Sequence, residues 1–292
     1  MTNHFRGAGI VALSAIFFGS YGVWARLISD HLPNLFQVWT RSLLISVVLA
    51  VILILTRSWK NIAKKDLKWV AVYTLFGSCA VAPYFYAFNK LGIGPSTLLF
   101  YASLTVVSYL AGFFAFKEKM TLSKIASLIL AFIGLFLIFD FSVKANLILA
   151  AACAVFSGAG GGIEVCFTKK ISDRYRATQI SWLLWTVIFI IHFALSLFFG
   201  ESWTLPSLSV PWIGVLGYSL ASLIAFFLVV IGYKYVEPSV GGIIGLLEII
   251  FGIIFGVLLF KEPLTSSVVW GTIFILASAT LPNVAELRHK TS

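Results

Sequence analysis

Continuous apolar runs, each long enough to cross a bilayer, constrain the fold of this chain more than any other feature. Lipid admits only a backbone that satisfies its own hydrogen bonds, and a helical run of about 20 residues does so. The 292 residues are 60% hydrophobic and only 11% charged, too apolar for a soluble domain to bury. The runs therefore predict an all-α, multi-pass membrane protein with ten spans, at 7–27, 35–56, 69–90, 95–116, 123–140, 146–168, 178–199, 212–235, 239–260 and 266–285.

Basic residues are unevenly distributed among the segments that join the runs. If the N-terminus is cytoplasmic, 16 of the 21 Lys and Arg residues fall on the cytoplasmic side, 4 fall on the opposite side, and Arg41 lies within a span. Cytoplasmic loops carry such an excess. We therefore predict that both termini are cytoplasmic, and we interpret the net charge of +10 as a topology signal rather than as a nucleic-acid surface.

The two halves of the chain resemble each other at a nearly constant offset. Residues 28–30 (Ile-Ser-Asp) recur 143 residues later at 171–173, and residues 116–118 (Phe-Lys-Glu) recur 144 residues later at 260–262. Each half holds five spans, and an odd number turns the second half over relative to the first. The sequence thus predicts two inverted five-helix repeats, an arrangement typical of secondary transporters, with the division at residues 1–144 and 145–292.

The motifs within these repeats resemble those of a known family. Residues 18–20 (Phe-Gly-Ser) lie in the first span and residues 94–96 (Gly-Pro-Ser) open the fourth. An acidic turn follows at residues 117–121 (Lys-Glu-Lys-Met-Thr) and recurs at 261–265 (Lys-Glu-Pro-Leu-Thr). Over its whole length the chain resembles the ten-helix EamA-domain transporters of the drug/metabolite transporter superfamily. The resemblance implies that helices 1, 3, 4, 6, 8 and 9 enclose a cavity, which the two halves expose alternately.

Departures from the family pattern fall on helices around that cavity. Leu104-Thr105 and Leu247-Glu248 stand where the family often has a proline in the middle of helices 4 and 9. Helix 6 has Phe156-Ser157-Gly158 and then a glycine run in place of a clean Phe-Gly-Ser pattern. The substrate is therefore less constrained by the resemblance than the fold is.

By resemblance, we expect an exporter in the bacterial inner membrane, with an amino acid or a related amino compound as its substrate. Two alternatives stay open: an importer or exchanger of a cationic metabolite such as S-adenosylmethionine, and an intramembrane lipid-modifying enzyme. The sequence contains no Walker loop, zinc pattern or nucleophile elbow. We therefore expect no enzyme activity, no cofactor and no metal. The expected partners are the substrate, protons as a candidate coupling ion, membrane lipid and, at most, a second copy in a weak dimer.

Two carboxylates lie within spans that the family places around the cavity. Glu248 is ten residues after Pro238, which is about 15 Å into a hydrocarbon core of about 30 Å. A charge at that depth is costly and often functional, although a structural hydrogen bond to a neighbouring helix is the alternative. Glu164 follows the glycine run and either faces the cavity or pairs with a lysine at the membrane surface. Both are predicted to bind substrate or to couple transport.

Aromatic residues on the cavity helices complete the predicted site, because their rings can pack on an apolar substrate or on a cation. They are Tyr21 and Trp24 on helix 1, Tyr84 and Tyr86 on helix 3, Tyr101 on helix 4 and Tyr218 on helix 8. Arg41 is close enough to a helix end to snorkel, and His192 is on a helix that is peripheral in the family, so neither is included. The three cysteines are expected to be buried small residues that form no disulfide.

Overall fold

The computed structural model describes residues 3–28, 31–91, 93–139 and 145–291, and these ranges contain α-helices, short 3-10 turns and no strand. The predicted all-α class is confirmed. The helices are α1 (Asn3–Gly19), α2 (Tyr21–Ile28), α3 (Asn34–Leu55), α4 (Leu67–Leu91), α5 (Ile93–Phe116), α6 (Leu122–Ile138), α7 (Ile148–Phe167), α8 (Ala177–Phe198), α9 (Val210–Tyr233), α10 (Pro238–Gly245), α11 (Leu247–Phe260) and α12 (Ser266–Thr291).

The helices of the described ranges correspond to the ten predicted spans. Helices α1 and α2 together form the first span, α10 and α11 form the ninth, and each other span is one helix. Eight of these segments are long and apolar enough to cross a membrane, and the helices Leu122–Ile138 and Ser266–Pro282 are apolar but shorter. The two shorter ones occupy the fifth place in each half.

The first and ninth spans are interrupted near their middle, which the apolar pattern did not predict. In the first span, Ser20 separates α1 from α2, and its hydroxyl donates to the carbonyl of Phe17 at 2.7 Å. A glycine–serine pair such as residues 19–20 is a common cause of a kink. In the ninth span, the N–H of Leu246 donates to the carbonyl of Ile243, three residues earlier, at 3.1 Å. This 3-10-type bond tightens the turn between α10 and α11.

The fifth helices of the two halves pack against each other and run antiparallel. A Cβ at Gly134 would lie 2.7 Å from Ile275 Cγ1, and a Cβ at Gly271 would lie 2.6 Å from Ile138 Cγ1. Residue numbers therefore rise along α6 as they fall along α12. Because these helices hold equivalent places in their repeats, the repeats are inverted, as predicted.

The packing between the halves follows the same two-fold relation. The second helices, α3 and α8, pack on each other; α4 and α5 pack on α7; and α9 and α11 pack on α1. In the repeat correspondence, α4, α5 and α7 of one set match α9, α11 and α1 of the other, so these two sets of contacts are equivalent. Antiparallel contacts between α3 and α8 place Trp39 beside Phe193 and Ser46 beside Thr186.

Connections predicted to share a side of the membrane also contact each other. At one end, Lys60 Nζ donates to the carbonyl of Arg174 at 3.0 Å, and Arg174 forms a salt bridge with Asp66 at 2.7 Å. At the other end, the Glu201 carboxylate accepts from the backbone N–H groups of Leu35 and Phe36, at 3.0 and 2.7 Å. The loops are thus grouped as the charge count predicts. Which end faces the cytoplasm stays a prediction.

The cysteines are free thiols, as expected, but burial was predicted wrongly for one of them. Cys166 is buried and Cys153 is half-buried, whereas Cys79 is exposed. An apolar run is compatible with contact with lipid as well as with protein, so the run alone does not distinguish these two positions.

Candidate substrate site

The two interrupted spans touch each other where their helices break. A Cβ at Gly19 would lie 2.7 Å from the backbone oxygen of Glu248 and 2.9 Å from the backbone nitrogen of Gly252. Glycine therefore lets the end of α1 lie directly against the first turns of α11. Discontinuous helices that meet inside the membrane are typical of transporter binding sites.

Glu248 lies in the first turn of α11, where the helix dipole favours a negative charge. Tyr101, on α5, interacts electrostatically with its carboxylate. Tyr84, on α4, lies within electrostatic range of the same carboxylate. Its hydroxyl is 3.2 Å from Thr97 Oγ1. Three separate spans thus bring two tyrosines to one acidic side chain.

A second group adjoins this one on the side of helices α2, α3 and α9. The rings of Tyr21 and Tyr218 have centroids 4.2 Å apart. The Arg41 guanidinium carbon lies 3.7 Å from the centroid of the Tyr218 ring, a cation–π contact. Tyr218 is within electrostatic range of both Arg41 and Glu248, so the two groups are continuous. We call them together the tyrosine site, which comprises Tyr21, Arg41, Tyr84, Tyr101, Tyr218 and Glu248.

The tyrosine site borders open space. A Cβ built at Gly245, three residues before Glu248, meets no atom of the described residues within 4 Å. The side chains of Glu248, Tyr84 and Tyr101 are only half-buried, although they lie well inside their spans. Space therefore remains unfilled one turn before the carboxylate in the same span.

The structure leaves two of the predicted aromatic residues outside this group. Trp24 packs its ring against Gly217 on α9, and its Nε1 donates to Ser20 Oγ at 3.1 Å, so it joins α2 to α9. Tyr86 is 41% exposed. It is two residues from Tyr84 on one helix, and residues so spaced point to opposite sides.

Glu164 is 5% exposed and lies on α7 between α4 and α8. A Cβ at Gly77 would lie 2.7 Å from Glu164 Cγ and equally close to Leu184 Cδ1. Its Oε1 has no hydrogen-bond partner among the described residues. The surface lysine pair considered from the sequence is absent from the ion pairs of these residues. Under the 143-residue offset Glu164 corresponds to Tyr21, so it occupies the matching position in the other half.

The glycine run before Glu164 serves helix packing. A Cβ at Gly160 would lie 2.9 Å from the carbonyl oxygen of Phe76 on α4, and one at Gly162 would lie 2.9 Å from that of Leu104 on α5. Gly158 meets the Phe100 backbone still more closely. The run lets α7 approach two helices at once, and α7 continues through it unbroken.

Arg41 is the site residue that the sequence reasoning set aside. It is 5% exposed instead of snorkelling, and its Nε donates to the carbonyl of Gln37 at 3.1 Å. Seven residues separate it from the start of α3, a depth of about 10 Å. That depth is the sequence feature that could have identified Arg41 as a site residue. His192 is also buried, and its Nδ1 lies 2.9 Å from the carbonyl oxygen of Ile188.

Comparison with known proteins gives one family and one fold. The EamA-like transporter family matches the chain twice, at residues 5–140 and 146–284. Curated protein sequences give no match. Among solved structures, one described only as "Crystal structure of protein" superposes with a TM-score of 0.80 at 14% sequence identity. The superposition covers 96% of this chain and 99% of that chain, and at this identity it shows the fold alone.

Proposed function

We propose that this chain, which belongs to the EamA-like transporter family, exports a small amino compound across a bacterial inner membrane. The family consists of drug and metabolite transporters, which disfavours the alternative of a lipid-modifying enzyme. An amino acid is the substrate we put first. Transport proceeds by alternating access, with both termini in the cytoplasm.

The position of Glu248 carries this proposal. A carboxylate beside open space at the meeting point of two interrupted spans attracts an ammonium group, and the surrounding tyrosine faces add cation–π attraction. The same carboxylate binds either a proton or an ammonium group, but not both. Release of one therefore accompanies binding of the other, which couples export of the substrate to entry of a proton.

Charged residues at the two ends of the molecule support alternating access. At one end Arg26 forms a salt bridge with Glu262. Their equivalents at the other end, by the repeat offset, are Lys169 and Glu118. Glu118 there accepts from Lys124 at 2.9 Å. Matching charges at opposite ends are suited to open and close in turn as the repeats rock.

A cationic metabolite, moved inward or exchanged, is the second candidate. It is favoured by one observation, the combination of a single carboxylate with four tyrosine rings. Such a ligand is recognised by charge and cation–π contact without any need for an anionic group.

The test is transport and binding by purified protein in which Glu248 is replaced. In proteoliposomes with an imposed pH gradient, we expect the protein to accumulate amino acid against its gradient and Glu248→Gln to lose this accumulation. In detergent, ligand affinity should vary with pH for the unaltered protein and stay constant for Glu248→Gln, because glutamine does not titrate.

Asp173→Asn is the matched control, since Asp173 is an exposed carboxylate paired with Lys234 at 3.5 Å. It should behave as the unaltered protein in both assays. If neither amino acids nor cationic metabolites are transported, the proposed function is wrong. If the affinity curves of Glu248→Gln and the unaltered protein overlay, Glu248 has a structural role only.

A further inference from the structure

Two opposite charges lie in the tyrosine site without pairing with each other. We propose that the site recognises a zwitterion, with the ligand's ammonium group at Glu248 and its carboxylate at Arg41. This inference rests on the proposed function and narrows its substrate to α-amino acids and molecules that keep both charged groups of one. It also makes Arg41 a substrate-binding residue.

One nitrogen of the Arg41 guanidinium is unsatisfied. Its Nη1 has no hydrogen-bond partner within the described ranges, although the residue is almost fully buried. None of the ion pairs formed within those ranges includes it. A charge inside the membrane is costly, and such residues nearly always face a partner or an aqueous cavity. The missing partner is therefore an anion that the chain does not itself supply here.

The contacts of the guanidinium fix its orientation for binding that anion. The bond from Nε to the Gln37 carbonyl fixes one edge, and the Tyr218 ring lies against its face at 3.7 Å. Phe85 lies further off, with its ring centroid 6.0 Å from the guanidinium carbon. A planar guanidinium fixed in this way offers its remaining N–H groups as a fork that matches a carboxylate.

Glu248 is not the anionic partner of Arg41. Its carboxylate is engaged by Tyr101, and the salt bridges of the described residues do not include it. Tyr218 nevertheless lies within electrostatic range of both charged groups. Arg41, from α3, and Glu248, from α11, thus approach the same tyrosine from different helices.

Only a ligand with both charges can pair with both Arg41 and Glu248. A simple cation satisfies Glu248 but leaves the guanidinium without an anion and adds a like charge to the same space. A simple anion does the reverse. Because a buried unpaired charge is penalised, either ligand is disfavoured relative to a zwitterion. The tyrosine rings of the site then contact the apolar part of the ligand.

Binding to purified protein tests this assignment. A thermal-shift screen of the twenty amino acids identifies the tightest ligand, which is then compared with its methyl ester and with its decarboxylated amine by calorimetry. A hydrogen bond to a charged group contributes about 1.5–3 kcal/mol, so the amino acid should bind about 10- to 150-fold more tightly than the ester or the amine. Arg41→Gln should remove this preference by weakening binding of the amino acid alone. Arg176→Gln, at an exposed position just before α8, is the control and should retain it.

Several outcomes would overturn the inference. If Arg41→Gln weakens binding of the amino acid and the ester equally, Arg41 only supports the structure. If the unaltered protein binds the amine as tightly as the amino acid, the ligand is a cation, while the proposed transporter stands. If no amino acid binds, the zwitterion is excluded, and proteoliposome transport of cations decides the proposed function separately. Should Arg41→Gln fail to fold, the ligand series on the unaltered protein still gives the answer.

Discussion

The two carboxylates within the spans differ at the level of single residues. Glu248 has the Tyr101 hydroxyl and open space beside it, whereas Glu164 lies against Gly77 and Leu184. A carboxyl with an unsatisfied oxygen in such surroundings is costly to keep charged. Glu164 is therefore suited to carry a proton between conformations rather than to contact the ligand of the tyrosine site.

Replacement of Glu164 by glutamine tests that distinction. We expect Glu164→Gln to lower the transport rate several-fold while ligand affinity at the tyrosine site, expression and thermal stability are retained, because the amide keeps the shape but holds no exchangeable charge. The comparison is calorimetric affinity against proteoliposome uptake for the same preparation. Normal uptake by the variant would show that Glu164 has no part in coupling.

At the level of helices, the interruptions at Ser20 and Leu246 decide where a ligand can lie. They bring α1 against α11 through Gly19, and they leave Gly245 facing unfilled space. Glycine thus serves two opposite purposes in these spans. At Gly19 the missing side chain allows contact between backbones, and at Gly245 it leaves volume that a substrate can occupy.

A side chain added at Gly245 should therefore block the site without disturbing the fold. We expect Gly245→Val to weaken amino-acid binding by about tenfold or more, on the order of one lost charged hydrogen bond, with little change in melting temperature. Gly9→Val is the matched control. A Cβ at Gly9 also meets no atom of the described residues within 4 Å, but Gly9 lies on the exposed face of α1. Unchanged binding by Gly245→Val would mean that the open space is not where the ligand lies.

On the scale of the whole molecule, the loops that the predicted topology places on the same side of the membrane contact each other. The loop that contains Lys64 contacts the one that contains Arg174, and Glu201 joins the loops at the opposite end. The asymmetry of basic residues predicts that the Lys64 end faces the cytoplasm.

Single cysteines in a background without Cys79, Cys153 and Cys166 test this orientation. We expect cysteines at Lys64 and Arg174 to be protected from a membrane-impermeant thiol reagent in intact cells and to react in inverted vesicles. A cysteine at the exposed Ser207, in the loop of Glu201, should give the opposite pattern. Labelling of the first two positions in intact cells would reverse the topology.

The number of spans, their helical character and the inversion of the repeats were determined by the sequence itself. Run length against bilayer thickness sets the first two, and an odd number of spans in each repeat sets the third. The Glu248 depth and the paired motifs at Glu118 and Glu262 follow from the same count. These features depend on distance along the chain, which the sequence records directly.

Only the tertiary structure decided which side chains meet. That Tyr84 and not Tyr86 lies within electrostatic range of Glu248, that Arg41 is buried against Tyr218, and that Glu164 packs between α4 and α8 all depend on the rotation of each helix about its axis. In a soluble helix a polar face marks that rotation. A span that is apolar on every side has no such mark, because lipid and protein neighbours both favour apolar residues.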